Sequence, residues 1–134
     1  MPSLLNIALV FLGGGIGSVG RFMASAMLAE RFGTAFPFAT LMVNCSGSFC
    51  IGVVVALTGE RVGALSDEWR FFLAVGFCGG FTTFSTFSLE TLALVQSGRV
   101  VLALMYGLAS VLLCVVGTGA GLGLVYWWAK RVGG

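Results

Sequence analysis

Gly76-Phe77-Cys78-Gly79-Gly80-Phe81-Thr82-Thr83-Phe84-Ser85-Thr86-Phe87-Ser88 lies inside a long apolar run yet departs from the pattern of an ordinary buried helix. Three glycines fall in its first five residues, each costing about 1 kcal/mol of helix stability relative to alanine. A β-branched Thr-Thr pair follows them without ending the hydrophobic character on either side. The stretch predicts a helix that arrives from Trp69, loosens near Gly79 and re-forms by Phe84. In hydrocarbon a loosened backbone is tolerated only where protein, water or an ion satisfies its carbonyl and amide groups. A break of that kind at mid-membrane is a typical ion site.

The composition puts this stretch in a membrane. Of 134 residues, 58% are hydrophobic and 9% charged, too few polar groups to clothe a globule in water. The charged residues leave four uncharged intervals, Met1 to Gly20, Phe32 to Gly59, Phe71 to Leu89 and Val100 to Ala129. Each is near or above the roughly 20 residues that cross a bilayer. The expected fold is all-α and integral to the membrane, a single transmembrane domain over 1–134. Its four helices are expected at about 4–29, 38–58, 69–96 and 100–129, with the third broken near mid-membrane. The first interval has no basic residue ahead of its apolar run and no cleavage pattern, so it is expected to stay as a helix, not to leave as a signal peptide.

Several function classes are disfavoured. The four cysteines, Cys45, Cys50, Cys78 and Cys114, have no CxxC spacing, and the chain has no histidine, against zinc, haem and disulfide frameworks. A dispersed net charge of +2 does not suggest nucleic acid. No nucleophile, base and metal constellation suggests an enzyme. With four spans, Arg61, Arg70, Lys130 and Arg131 share one side with the N-terminus, while Arg21, Arg31 and Arg99 fall toward the other. Four against three gives the positive-inside rule little to act on. Such a chain is expected to insert both ways and pair with an inverted copy; the alternative is an orientation fixed by a partner or by the first helix.

Helix one carries Gly13-Gly14-Gly15-Ile16-Gly17-Ser18 and then Gly20-Arg21. Its Gly13/Gly17 pair is a GxxxG motif for close helix approach. Arg21 reads either as a snorkelling side chain or as an anchor for the carbonyls of a broken helix, since guanidinium supplies five fixed donors. On helix two, Thr40 and Asn44 stack on one face. Asn44 reads either as an interhelical hydrogen bond or as an N–H aimed at an anion. Ser66 or Asp67 is expected to cap helix three, and Glu90 near its end reads as interfacial or paired, or as part of an ion path. Tyr106, Ser110 and Cys114 line one stripe of helix four; Gly117/Gly121 and Gly119/Gly123 form further GxxxG pairs.

Phe84 and Phe87, three apart, project from one face of the re-formed helix. Phenylalanine there most often faces lipid or core. Beside a glycine break and a run of hydroxyls, however, two rings can turn their electropositive edges toward a small anion without trapping it. Asn44, Ser85, Thr86 and Ser110 would supply donors in place of lost water, and weak successive sites are what conduction requires.

The run GFCGGFTTFSTFS, with GGGIGSVGRF from Gly13 and ATLMVNCSGSF from Ala39, resembles the Fluc (CrcB) family of small fluoride channels over essentially the full length. The resemblance implies an antiparallel, dual-topology homodimer in the bacterial inner membrane, with two fluoride pores. It implies a structural sodium ion enclosed by backbone carbonyls of Gly79 and Thr82 from each copy. Phe84 and Phe87 match the phenylalanines flanking the pores, and Asn44 the pore asparagine. Thr40, Ser85 and Thr86 match a hydroxyl track, while Tyr106 and Ser110 match polar pore positions. Arg21 matches the arginine closing the first motif, and Glu90 an acidic position near a pore mouth. Cys114 departs from the pattern, where a serine is expected. The implied physiology is passive export: fluoride enters as its neutral acid, ionises in the cytoplasm and leaves down its gradient. The alternative is a small four-helix proton-coupled multidrug antiporter, which needs a membrane-embedded carboxylate, and helix one has none before Glu30.

Overall fold

The computed structural model describes residues 2–132; Met1, Gly133 and Gly134, the ends of the expected 1–134 domain, lie outside the described residues. Among the described residues the chain is all-helical, with four helices long and apolar enough to cross a membrane. Helix α1 (Leu4–Phe32) opens on Ser3, whose side chain accepts from the Asn6 amide at 3.1 Å. It runs three residues past the expected end and stops at Gly33, whose φ of 73° suits a residue without a Cβ. Helix α2 (Phe38–Thr58) begins after Pro37, which has no N–H to offer to a helix.

The third span starts at Ser66 with α3 (Asp67–Trp69), widens to a π-helix, π1 (Arg70–Cys78), and closes with α4 (Gly79–Phe81). Ser66 occupies the cap position, but its side chain makes no capping hydrogen bond. Helix α5 (Phe84–Gln96) then leads through a turn at Gly98 (φ 77°) into α6 (Val100–Val132), three residues longer than expected.

Packing follows the small residues. A methyl at Gly13 would overlap the Phe72 carbonyl oxygen, one at Gly17 the Phe77 oxygen, and one at Gly80 the Gly14 oxygen, so α1 lies backbone to backbone on π1 and α4. Gly52 and Gly121 do the same between α2 and α6, where a methyl would meet Thr118 and Phe49 oxygens respectively. Gly119 and Gly123 face open space, so only one of the two expected GxxxG pairs on this helix makes a contact. Lipid is as apolar as leucine, so such fit, not hydrophobic burial, holds membrane helices together. The clustered side-chain core is accordingly small, Leu41, Leu94, Ala103 and Tyr106, with Val43, Val54, Ala56, Ala74, Cys78 and Val125 buried elsewhere, while Phe11, Phe22, Val101 and Leu104 project outward.

Candidate functional site

The backbone leaves helical geometry at Thr82 (φ −82°, ψ 157°) and Thr83 (φ −149°, ψ 108°) and returns to it at Phe84. The loosening expected near Gly79 comes three residues later, Gly79 itself being helical with φ −63° and ψ −39°, while the helix re-forms at Phe84 as expected. The physical reason lies in both residue types. Glycine weakens a helix without forbidding it, and Gly80 keeps the helix against α1 because it has no side chain to clash. The β-branched threonines are the residues that accept extended backbone.

Two extended residues disrupt the usual helical pairing, and several of the lost partners are replaced. The Thr82 amide still reaches Cys78 O at 2.9 Å. The Thr83 amide donates to Asn44 Oδ1 at 2.7 Å, and Asn44 Nδ2 donates to the Thr83 carbonyl at 3.1 Å. One side chain on α2 thus pairs with Thr83 as a neighbouring strand would. The Gly80 carbonyl, whose helical partner would be Phe84 N, accepts from Arg21 Nε at 3.2 Å and Ser18 Oγ at 3.4 Å. Of the two readings of Arg21, this geometry is the anchor. Thr83 also caps α5, its hydroxyl accepting from the Thr86 amide at 3.2 Å and donating to Thr86 Oγ1 at 2.9 Å.

Sequence reasoning passed over Thr83, Ser18 and Gly80. Thr83 carried a legible signal, a hydroxyl residue immediately before a new helical run.

Asn44, Gly79, Thr82, Phe84, Phe87 and Ser110 come together on the wall of a cavity of about 380 Å³, with Thr83, Cys78 and Cys114. The Phe84 and Phe87 rings stand 5.4 Å apart at a tilt of 43°. Phe84 is 79% exposed in the single chain, too open for a core residue. Ser110 is the reverse: 7% exposed, with its hydroxyl buried and lacking a hydrogen-bond partner among the described residues. A buried hydroxyl without a partner is costly, and this one lies on the cavity wall.

Thr40, Ser85, Thr86 and Tyr106 do not line that cavity. Ser85 and Thr86 gather around the Thr83 hydroxyl, Ser85 Oγ at 3.3 Å. Thr40 Oγ1 donates to Glu90 Oε1 and Tyr106 OH to Glu90 Oε2, both at 2.8 Å, so Glu90 ties α2, α5 and α6 together. Of the readings of Glu90, this is the paired one, and it engages both hydroxyl protons. The Phe87 ring lies 5.1 Å from Tyr106, and Tyr106 meets Phe36 edge-on at 5.5 Å. That aromatic chain leads from the first cavity toward a second, of about 290 Å³, lined by Phe36, Glu90 and Arg99.

The carbonyls of Gly79 and Thr82 are suited to a hard cation. Thr83 N, the amide that would reach Gly79 O in a continuing helix, is taken by Asn44, and Thr86 N, which would reach Thr82 O, is taken by Thr83 Oγ1. Both oxygens keep their lone pairs for another partner, and carbonyl oxygen is a ligand that hard cations select.

A family model described as CrcB-like protein, Camphor Resistance (CrcB), matches residues 8–122. The chain belongs to the CrcB-like family. Every site residue named above falls inside the matched span, which leaves out the start of α1 and the aromatic and basic end of α6. CrcB-like relatives include "Fluoride-specific ion channel FluC 2" of Nitrobacter hamburgensis, 45% identical over 90% of this chain and 97% of the relative. "Fluoride-specific ion channel FluC" of Granulibacter bethesdensis is 49% identical over 84% of this chain and 87% of its own. The protein of the same name from Thermus thermophilus is 52% identical over 78% and 82% respectively.

Proposed function

We propose that this chain is a fluoride-selective channel that lets fluoride leave the cytoplasm passively through a bacterial plasma membrane. The observation that carries the reading is a cavity wall shared by Asn44, Ser110 and the Phe84 and Phe87 rings, with the buried Ser110 hydroxyl lacking a partner among the described residues. It is supported by the names of relatives that align over most of the chain. A fluoride ion shedding water needs replacement donors that do not bind it irreversibly. Ser110 offers an O–H, Asn44 a second N–H beyond the one given to Thr83, and the rings offer their electropositive edges. The path continues past Ser85 and Thr86 toward the second cavity, which Glu90 lines with its carboxyl group held by the Thr40 and Tyr106 hydroxyls. Successive weak sites let an ion enter and leave.

Two copies pair antiparallel, each contributing the exposed face around Gly79 and Phe84, with two pores per dimer. The carbonyls of Gly79 and Thr82 from both copies hold a sodium ion, which supplies a fixed positive charge at the junction. A two-fold axis through the interruption, placed near mid-membrane, brings the same four oxygens together.

The test is ion efflux from liposomes containing only the purified protein. Rapid fluoride release with chloride retained is expected. Retention of both ions under sodium would overturn the reading, and equal release of both would remove the selectivity.

A further inference from the structure

We propose that Cys45 and Cys114 form a binding site for a soft, two-coordinate d10 cation, silver(I) or copper(I), at the α2/α6 contact beside the first cavity. The two sulfurs face each other at 3.8 Å, from helices that run backbone to backbone. Both thiols are free and partly exposed, and Cys114 lines the cavity itself.

The surroundings fix the pair before any ion arrives. One turn from Cys114, a methyl at Gly117 would lie 3.3 Å from the Cys45 carbonyl oxygen, so the absence of a side chain lets the helices close at this level. The Thr118 hydroxyl lies 3.1 Å from both Cys114 O and Ser48 O, holding α6 in register on α2. Thiolate sulfur selects soft ions over hard ones. Among the described residues, no group of three or more His, Cys, Asp and Glu could hold a metal. That excludes ions requiring a tetrahedral set of such ligands, as zinc does, and leaves the linear class. Taking about 2.3 Å, the length thiolates make to zinc, as the scale for metal–sulfur bonds, a linear unit needs its sulfurs roughly 4.6 Å apart. Rotation of two side chains supplies the small separation required.

The protons and charge balance. A silver(I) ion displaces one proton, which leaves with the solvent, and forms a thiolate–silver–thiol unit. One positive ion and one thiolate sum to zero, so a neutral complex sits in an apolar interface that would reject a lone charge. No electron is transferred.

The experiment uses the full chain in chloride-free detergent, with one equivalent of silver(I) and an excess of a monothiol competitor that strips single-cysteine sites. X-ray absorption at the silver edge should report two sulfur neighbours. Maleimide labelling followed by mass mapping should slow at Cys45 and Cys114 and stay unchanged at Cys50 and Cys78. Cys45→Ser or Cys114→Ser should each weaken binding by about 100-fold or more through loss of the second intramolecular ligand, while Cys50→Ser and Cys78→Ser bind as the parent does. Silver bound through one sulfur, protection at Cys50 or Cys78, or binding that survives either of the first two substitutions would overturn the proposal. Each readout is on the ion and the thiols, so the result stands apart from whether the chain conducts fluoride.

Discussion

Asn44 makes the two hydrogen bonds that a strand neighbour would make to Thr83, and no other natural side chain but glutamine carries the same donor and acceptor pair. Asn44→Ala is expected to leave a part-buried N–H and C=O without partners, at up to about 3 kcal/mol for the unsatisfied groups. Hydrogen exchange at the Thr83 amide should then speed up about tenfold or more. Asn44→Asp keeps the acceptor for Thr83 N and should keep that amide slow, while setting a carboxyl oxygen against the Thr83 carbonyl. Fast exchange in both variants would show that the amide is protected by something else. Tyr106 presents a second residue-level test, since it is 0% exposed and spends its hydroxyl on one Glu90 oxygen, as Thr40 does on the other. Tyr106→Phe and Thr40→Val should each destabilise the chain by about 1–3 kcal/mol. Because both act on one carboxyl group, the double variant should depart from additivity by about 0.5 kcal/mol or more. Thermal unfolding of the four proteins in detergent measures this cycle, and strict additivity would mean that Glu90 does not couple the two helices.

At the scale of the helix, glycines of one segment play opposite parts, and α1 provides the contrast. Gly17→Ala places a methyl on the Phe77 carbonyl oxygen and should push α1 off the 67–81 helix, an overpacking cost of about 1–3 kcal/mol. Gly15→Ala meets nothing within 4 Å and should instead stabilise α1 by up to about 1 kcal/mol through helix propensity. Melting temperatures moving in opposite directions check both; two shifts of the same sign would refute the packing. Four apolar spans were legible in the sequence because the twelve charges leave four long uncharged intervals. Helix ends were less so: α1 and α6 each run three residues further than expected, since a terminal turn at a membrane surface costs little either way. The return to helix at Phe84 was legible, but the start of the interruption was placed three residues early, because glycine cost alone points to Gly79 while the decision is made by partners far along the chain. Ser18, Arg21 and Asn44 lie 39 to 62 residues from the groups they satisfy, and no local pattern encodes that. The site was legible as a set of residue types. Its division into a cavity wall holding Asn44 and Ser110 and a separate cluster of Thr40 and Tyr106 on Glu90 needed coordinates.

For the molecule as a whole, the side chains at its ends fix which loops lie together. Arg61 packs over the Tyr126 ring at 5.2 Å, joining the 59–66 loop to the end of α6, and Arg99 Nη1 donates to Ala35 O at 2.8 Å, joining the other two loops. The end bearing Arg61, Arg70, Lys130 and Arg131 therefore opposes the end bearing Arg31 and Arg99, with Arg21 nearer the latter. A difference of one basic residue is too slight to direct insertion, and the proposed antiparallel pair requires both orientations. Cysteine-free protein carrying a single reporter thiol at Ser3 should accordingly be labelled from both faces of the membrane in about equal amounts. Ala64→Arg adds a fifth basic side chain to the richer end, at an exposed loop residue, and should drive most copies to one orientation. If each pore requires an inverted partner, fluoride efflux from cells should fall in step with the loss of the minor orientation. Co-expression with a Thr34→Arg, Ala35→Arg variant, biased the opposite way, should restore it. Efflux that persists at full rate in a population labelled from one face only would mean that copies conduct without inversion, and the antiparallel arrangement would have to be abandoned.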